Sequence, residues 1–335
     1  MPIPDSFPCL MVRREGGGEP TLGVEEIGLD DLPAGDVVIE VAASSLNYKD
    51  ALACRAHPGV VRDLPHVPGI DCAGTVAESG SSDYAAGDAV LVTGYALGAP
   101  AWGGWSRYVR VPAEWVVPLP AGLTVDEAMT LGTAGFTAAQ CVAAIDKHGV
   151  QPGDGEVVVT GATGGVGVLA VAILAKLGYR VTAVTGKADR HEMLRNLGAE
   201  EIVGREAVDD RSDNPMLRER WAAAVDTVGG NTLATIVRGT RHRGCVTACG
   251  LVGGDTLPLS VYPFILRGVG LLGIDSAKCP RGPREFVWRQ LSGPWKPEGL
   301  DQLRREADFR TLPGEVEAML AGGALGRLVV RPVAG

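Results

Sequence analysis

The feature that most constrains the fold is a β-branched run that leads directly into a glycine-rich turn. Residues Val157–Thr160 have the sequence Val-Val-Val-Thr and predict a buried strand, and Gly161–Gly167 follow as Gly-Ala-Thr-Gly-Gly-Val-Gly. The apolar segment Val166–Gly178 then predicts a helix that ends at a glycine. A strand, a glycine turn and a helix in immediate succession are typical of the first unit of a doubly wound parallel sheet.

The same turn predicts a nucleotide-binding site. Glycines permit the tight turn and let backbone amides approach a pyrophosphate, whose charge the N-terminus of the helix stabilises. Ala162 stands where the usual pattern has its first glycine. A glycine turn without a ligand is the alternative, but the strand–turn–helix context favours dinucleotide binding. The predicted contacts are Thr163, Gly164, Gly165 and Val166.

The end of the next predicted strand, Arg180–Val184, indicates which dinucleotide binds. NAD sites usually have Asp or Glu there to bind the ribose hydroxyls, whereas this strand is followed by a glycine and cations. Cations attract a 2′-phosphate that an acid would repel, so the sequence predicts NADPH. The alternative is that Lys187 and Arg190, which flank Asp189, are solvated residues at a helix start. The predicted contacts at this end are Thr185, Gly186, Lys187, Arg190 and Arg205.

The 335-residue chain is long enough for two domains. Short strand-like runs such as Val37–Val41 and Ala89–Val92 indicate a β-rich, barrel-like N-terminal part. Thr124 and Glu127 form a predicted capping box, after which strands and helices alternate. The C-terminal elements, including a predicted charged helix over 300–306, are too few for a third domain. We therefore predict a β-rich domain of residues 1–125 and 285–335 and a Rossmann domain of residues 126–284.

Composition narrows the range of partners. The formal net charge of −9 argues against nucleic acid, which is bound by basic surfaces. We see no signal peptide in Met1–Leu10 and no apolar stretch close to the roughly 20 residues of a membrane span, so no membrane partner is expected. The seven scattered cysteines suit a reduced protein, and we expect a cytoplasmic location.

Three further motifs resemble those of a known family. Ser44–Asp50, Pro68–Gly74 and Thr133–Ala138, in this order before the glycine turn, resemble the medium-chain dehydrogenase/reductase superfamily over nearly the whole chain. The resemblance implies an α/β fold in which a GroES-like catalytic domain accompanies the Rossmann domain. Three more stretches are most similar to the quinone oxidoreductase-like branch and its acrylyl-CoA reductase subgroup: Ile173–Tyr179, Ala183–Lys187 and Leu197–Ala199.

At the positions where the zinc enzymes of this superfamily carry their zinc ligands, this chain has other residues. The resemblance places Asn47 where those enzymes have cysteine and Ile70 where they have histidine. The four closely spaced cysteines of the structural zinc lobe are missing as well. We therefore predict no metal, and the chemistry shifts from alcohol oxidation towards reduction of a carbon–carbon double bond next to a carbonyl.

The resemblance implies that NADPH delivers hydride to the β-carbon of acryloyl-CoA, that an enolate develops on the thioester oxygen, and that the product is propanoyl-CoA. Tyr48 and Asn47 are the catalytic candidates, Asn47 as a neutral donor and Tyr48 as a phenol that orients the nicotinamide or donates to the enolate. The alternative for Tyr48 is packing against the cofactor alone. Lys49 and Asp50 are interpreted as a structural ion pair, and Asp71 is given a structural role. By family position, we expect the nicotinamide and ribose to be lined by Thr133, Ala134, Thr137, Leu251, Ile274 and Ser276, and Tyr48 is a further expected cofactor contact.

A basic run follows the predicted sheet, from Lys278 to Lys296, with Glu285 as its only acid. Arg281, Arg284 and Arg289 are candidate contacts for the CoA phosphates, because an Arg fork suits phosphate oxygens. A solvated helix face is the alternative.

Two other functions are compatible with the sequence. The chain could be a general quinone or enone reductase with an open pocket, or a non-catalytic dinucleotide-binding protein, since a fold alone does not prove activity. The strand Gly270–Ile274 is expected at the sheet edge, where relatives pair across a two-fold axis, and we predict a homodimer.

Overall fold

The computed structural model describes residues 3–323 and 325–332. The strands are β1 (Phe7–Arg13), β2 (Thr21–Ile27), β3 (Val37–Ser45), β4 (Asp71–Ser79), β5 (Ala89–Thr93), β6 (Tyr108–Val111), β7 (Val117–Pro118), β8 (Glu156–Val159), β9 (Arg180–Val184), β10 (Ala199–Val203), β11 (Trp221–Asp226), β12 (Thr240–Ala248), β13 (Gly270–Gly273), β14 (Arg304–Asp308) and β15 (Arg327–Arg331). The α-helices are α1 (Tyr48–Cys54), α2 (Val125–His148), α3 (Gly165–Lys176), α4 (His191–Asn196), α5 (Gly230–Gly239), α6 (Tyr262–Arg267), α7 (Arg281–Leu291), α8 (Leu300–Leu303) and α9 (Leu312–Leu320).

The chain divides into two compact units. The first contains Met1–Thr133, Ala277–Ser292 and Gly299–Gly335, and the second contains Ala134–Ser276 and Gly293–Glu298. The main borders lie eight residues from those expected at 125/126 and 284/285. The first border differs because helix α2, whose N-terminus is capped by Thr124 and Glu127, remains in the first unit up to Thr133. Gly132 has a non-helical backbone, with φ 51° and ψ −156°, and breaks the helix there.

The first unit is built on a mostly antiparallel seven-stranded sheet. Its strand order is β14-β15-β3-β4-β5-β7, and β6 pairs with β3, while β1 and β2 form a separate antiparallel pair. Buried side chains such as Val37, Ile39 and Val90 form a core cluster against this sheet. A second cluster includes Phe7 and Trp105. This unit agrees with the β-rich N-terminal part that the sequence predicts.

The second unit is a six-stranded parallel sheet in the order β10-β9-β8-β11-β12-β13. Counted from β8 as the first strand, this order is 3-2-1-4-5-6, that of a doubly wound Rossmann sheet. Strand β13 lies at one edge, as expected for residues 270–274. The Rossmann prediction is therefore confirmed, and ligands of such sheets bind at the carboxyl ends of the strands.

One expectation about local structure is wrong. The predicted helix over 300–306 ends at Leu303, and Arg304–Asp308 instead forms β14, parallel to β15. Cross-strand ion pairs such as Arg331 with Glu306, at 3.1 Å, stabilise the extended conformation, which the charged composition did not indicate.

Helix α2 is long and apolar enough to cross a membrane by length and composition alone, but 78% of its most apolar window is buried inside the protein.

Candidate cofactor site and buried charge cluster

The glycine turn joins β8 to α3 at the carboxyl edge of the parallel sheet. Gly161 has a left-handed φ of 55°, and a Cβ on Gly167 would lie 2.2 Å from the carbonyl oxygen of Gly161. Helix α3 begins at Gly165, after an extended Gly164 that supplies no side-chain cap. A helix N-terminus built from glycine, without a capping side chain, leaves room for an anionic group close to the backbone. The turn therefore fits a pyrophosphate.

A buried acid that the sequence interpretation missed braces this turn. Asp226, at the end of β11, accepts hydrogen bonds from the Thr160 hydroxyl at 2.7 Å and the Gly229 amide at 2.7 Å. Burial raises the pKa of Asp226. The Thr227 amide in turn donates to the Thr160 hydroxyl oxygen at 2.9 Å. The signal for this brace was the single acid that ends the apolar strand β11.

The end of β9 gathers several residues predicted to contact a 2′-phosphate. The Thr185 hydroxyl oxygen accepts a bond from the Lys187 amide at 3.1 Å. A Cβ on Gly186 would lie 3.0 Å from Nε of Arg205, so the guanidinium of Arg205 lies beside the backbone of Gly186. Arg205 forms no ion pair with any residue in the described ranges 3–323 and 325–332. Arg190 instead pairs with Asp189 at 3.0 Å, and a phosphate would have to compete with that carboxylate.

The remaining predicted cofactor residues of the second unit are spread over its strand ends and α2. Leu251 follows β12 and is 67% exposed, while Ile274 and Ser276 follow β13 and are partly buried. Thr137 is buried on α2, and Thr163 is buried within the glycine turn. Since the carboxyl ends of parallel strands meet at one edge, residues 163–166, 185–187, 251 and 274 belong to the same edge of the sheet.

The first unit contains a cluster that we call the buried charge cluster: Ser45, Asn47, Asp50, Asp71, Thr133 and Arg327. Asp71 lies at its centre and is fully buried. One of its oxygens accepts bonds from the Ser45 hydroxyl at 2.5 Å, the Asn47 side-chain amide at 2.8 Å and the Thr133 backbone amide at 2.9 Å. The other accepts the Thr133 hydroxyl at 2.5 Å.

Asp50 is the second acid of the buried charge cluster. It accepts backbone amides from Asn47 at 2.8 Å, Gly69 at 3.1 Å and Ile70 at 2.8 Å. Burial, with the nearby charge of Asp71, raises the pKa of Asp50 to about 7. The expectation that Asp50 pairs with Lys49 is wrong, because the Asp50 carboxylate points into the protein whereas Lys49 is exposed.

Asn47 and Tyr48 are adjacent in sequence but differ in environment. The amide nitrogen of the buried Asn47 side chain donates to Asp71 at 2.8 Å and to Ser45 at 3.1 Å, and its oxygen accepts from Arg327 at 3.3 Å. The predicted role of Asn47 as a donor to the substrate is therefore wrong, because both of its amide hydrogens are directed into the buried charge cluster. Tyr48, the first residue of α1, is 50% exposed and remains a catalytic candidate.

The prediction that Arg284 contacts the CoA phosphates is also wrong. Arg284 is fully buried, donates to the carbonyl oxygens of Thr93 and Ala277, and stacks on the ring of Tyr95 at 4.0 Å. The buried residues of α7 recur at positions 284, 287, 288 and 291, a helical spacing that the sequence already contained. Arg281 is partly exposed and pairs with Glu285 at 2.8 Å, and Arg289 is exposed.

Comparison with known proteins decides the family. Residues 33–121 match the alcohol dehydrogenase GroES-like domain, and residues 165–290 match the family described as zinc-binding dehydrogenase. An acrylyl-CoA reductase, AcuI of Ruegeria pomeroyi, is 45% identical over 97% of this chain and 98% of its own length. This chain belongs to the medium-chain dehydrogenase/reductase superfamily. The predicted family and fold are thereby confirmed.

Two solved relatives differ in the dinucleotide that they hold. The yhdH oxidoreductase of Salmonella enterica, crystallised with NADP, is 43% identical, with a TM-score of 0.93 over 97% of this chain and 99% of that one. YhfP of Bacillus subtilis, a putative quinone oxidoreductase, is 45% identical over 92% of this chain and 94% of its own. A structure of YhfP holds NAD and aligns with a TM-score of 0.95 and 43% identity over 97% of this chain and 99% of that one.

Proposed function

We propose that this protein is an NADPH-dependent reductase of activated carbon–carbon double bonds, with acryloyl-CoA as substrate and propanoyl-CoA as product. The observation that carries the proposal is the pair of anion sites at one sheet edge: the glycine-capped start of α3 and the guanidinium of Arg205 beside Gly186. This pair suits the pyrophosphate and the 2′-phosphate of NADPH. The identity to AcuI supports the substrate class.

The chain's own residues would bind the dinucleotide and manage the charge that develops on the substrate. The amides that open α3 hold the pyrophosphate, and Thr185, Lys187 and Arg205 hold the 2′-phosphate and its ribose. When bound, NADPH supplies the hydride that reaches the β-carbon of the acyl group. The exposed phenol of Tyr48 donates a hydrogen bond to the thioester oxygen as the enolate forms, which lowers the barrier, and a proton then reaches the α-carbon.

We propose that this chemistry is independent of zinc. Asn47 and Ile70 occupy the positions at which the zinc enzymes of the superfamily carry ligands. Within residues 3–323 and 325–332, no group of three or more His, Cys, Asp or Glu side chains is placed to hold a metal ion. The side-chain amide of Asn47 moreover donates a hydrogen bond to the carboxylate of Asp71 at 2.8 Å. Polarisation of the thioester is then left to hydrogen-bond donors.

The CoA phosphates are proposed to contact Arg281 and Arg289 on the outward face of α7. Arg281 is partly exposed, and it must exchange its 2.8 Å pair with Glu285 for a phosphate oxygen. Arg289 is exposed and forms no ion pair with the part of the chain that the structure describes. Arg284 is not part of this proposal, since its guanidinium is buried.

A second candidate function, a general quinone or enone reductase, is favoured by the 45% identity to YhfP. The two candidates share the cofactor edge and differ in whether the CoA part of the substrate contributes. Such a reductase would gain nothing from Arg281 or Arg289. The third reading, a non-catalytic dinucleotide-binding protein, requires tight NADPH binding without turnover.

We also propose a cytoplasmic homodimer formed through the β13 edge. Seven of the ten exposed large apolar side chains within the described residues lie between Leu251 and Leu266. On α6, which directly precedes β13, Ile265 and Leu266 are 67% and 60% exposed while Pro263 is buried. An exposed apolar helix face that directly precedes an edge strand is what a second copy of the chain would cover.

The test is steady-state kinetics with acryloyl-CoA, a simple enone and a simple quinone, each with NADPH. The acrylyl-CoA reductase proposal predicts the highest kcat/KM with acryloyl-CoA, and a loss in the Arg281→Ala/Arg289→Ala variant confined to that substrate. Equal kcat/KM for all three substrates would favour the general reductase. Tight NADPH binding with background turnover of every substrate would leave the non-catalytic reading.

A further inference from the structure

We propose that Asp71 is a positioning residue, which holds Tyr48 and Thr133 in one fixed arrangement with Arg327 as its buried counter-ion. The inference rests on the proposed function, in which Tyr48 meets the substrate, and on the predicted contact of Thr133 with the nicotinamide and ribose. It extends that function to a carboxylate that the sequence interpretation treated as merely structural.

The Asp71 carboxylate holds together the parts of the chain that bear Tyr48 and Thr133. Its carboxylate connects three separate segments: the end of β3 through Ser45, the start of α1 through Asn47, and the restart of α2 through Thr133. Asn47 is the N-cap residue of α1 and directly precedes Tyr48. A shift of Asp71 would therefore move both proposed site residues together.

The break in α2 lies close to Asp71. At Gly132 a Cβ would lie 2.5 Å from the nearer oxygen of Asp71 and 2.9 Å from a terminal nitrogen of Arg327, so only glycine lets the chain approach this closely. The helix restarts at Thr133, whose amide donates to Asp71 at 2.9 Å. An acid at the start of a helix is favourable, and here it sets where the Thr133 side chain begins. The 2.5 Å bond from the Thr133 hydroxyl then fixes the rotamer of that side chain.

The buried charge cluster contains two acids and one arginine. Asp50, Asp71 and Arg327 are all buried, and burying charges is costly unless they are paired and hydrogen-bonded. Arg327 donates to the Thr130 carbonyl at 2.7 Å and reaches Asp71 through Ser45, at 3.3 Å, and Asn47, at 3.3 Å. An apolar cluster of the same volume would pack at lower cost but would not define these hydrogen-bonded positions. We infer that the buried charge cluster fixes the positions of the residues bonded to it and does not maximise stability.

The experiment separates positioning from stability. Thr133→Val replaces the hydroxyl that bonds Asp71 with a methyl group of similar size, and Thr133→Ser restores a hydroxyl. Thr235→Val is the matched control, since Thr235 is a buried helical threonine whose hydroxyl also makes hydrogen bonds. We expect Thr133→Val and Asp71→Asn to lower kcat by about 10-fold or more, because small misplacements of reacting groups have large effects on rate. The Kd for NADPH should change by less than about threefold, because the phosphate contacts carry most of the affinity.

Three results would overturn the proposal: a kcat for Thr133→Val equal to that of Thr235→Val, a loss that tracks the fraction of unfolded protein, or no recovery in Thr133→Ser. An activity-independent measurement separates this failure from failure of the proposed function. In Asp71→Ala, hydrogen exchange should accelerate in the peptides that contain Asn47 and Thr133, and it should not do so in Arg331→Lys, a control on the same strand as Arg327. If the wild type turns over no substrate, the proposed function fails, and unchanged exchange in Asp71→Ala would refute the positioning role.

Discussion

Replacement of Arg205 by alanine should weaken the binding of NADPH about tenfold and leave the binding of NADH almost unchanged. Arg205 lies beside Gly186, within 3.0 Å of where a Cβ would stand, at the strand end where the adenosine ribose is proposed to bind. A hydrogen bond to a charged group contributes about 1.5–3 kcal/mol. Because Arg205 is exposed, solvent screens the interaction and the lower value applies. About 1.5 kcal/mol corresponds to a roughly tenfold weaker Kd for NADPH.

The assay is a titration of protein fluorescence or heat with NADPH and with NADH, at two salt concentrations. The Kd for NADH should change by less than about twofold, because NADH lacks the phosphate that Arg205 would bind. Arg218→Ala, an exposed arginine of the same unit, is the matched control and should change neither affinity. The proposed contact between Arg205 and the 2′-phosphate is refuted if Arg205→Ala weakens the binding of NADPH and NADH equally, or if it leaves the NADPH affinity unchanged.

Three further variants test other parts of the account. Gly167→Ala places a Cβ 2.2 Å from the Gly161 carbonyl oxygen, so it should destabilise the protein by about 1–3 kcal/mol in chemical denaturation and weaken NADPH binding; wild-type affinity would contradict the proposed turn. Ile265→Asp puts a charge on the exposed apolar face of α6 and should shift a dimer to monomer in light scattering, an outcome that an unchanged mass would exclude. Asp50 has a pKa raised to about 7, so the folded protein binds its proton more tightly than the unfolded chain does. As pH falls from 7 to 4, the wild type should therefore gain stability over Asp50→Asn, by at most about 1.4 kcal/mol per pH unit, and a constant difference would count against the buried acid.

Much of the second unit follows from local patterns. The strand–glycine–helix motif at Gly161–Gly167 and the alternation after it predict the parallel sheet, because each signal lies within one short segment. The prediction for residues 300–306 failed because β14 depends on pairing with β15, far away in the chain. The failed assignment of Arg284 has a different origin. The cations of the basic run that fall within α7 lie on different faces of this helix, and Arg284 lies on the buried one.

The candidate site divides in the same way. Gly186 and Arg205 are separated by fewer than twenty residues, and their proximity follows from the second βαβ unit. The buried charge cluster joins residues from 45 to 327, and its hydrogen bonds depend on four separated segments, 45–50, 71, 133 and 327. No spacing rule connects Asp71 to Thr133 or Arg327. Sequence patterns therefore predicted the turn that binds a pyrophosphate, whereas the network that positions Tyr48 required three-dimensional coordinates.

The most direct test of the account uses NADPH deuterated at both C4 positions, with acryloyl-CoA as acceptor and mass spectrometry of the product. Hydride transfer to the β-carbon predicts propanoyl-CoA that carries a single deuterium, in an amount equal to the NADPH consumed. Propanoyl-CoA without deuterium, or NADPH consumption without propanoyl-CoA, would contradict the proposed reaction.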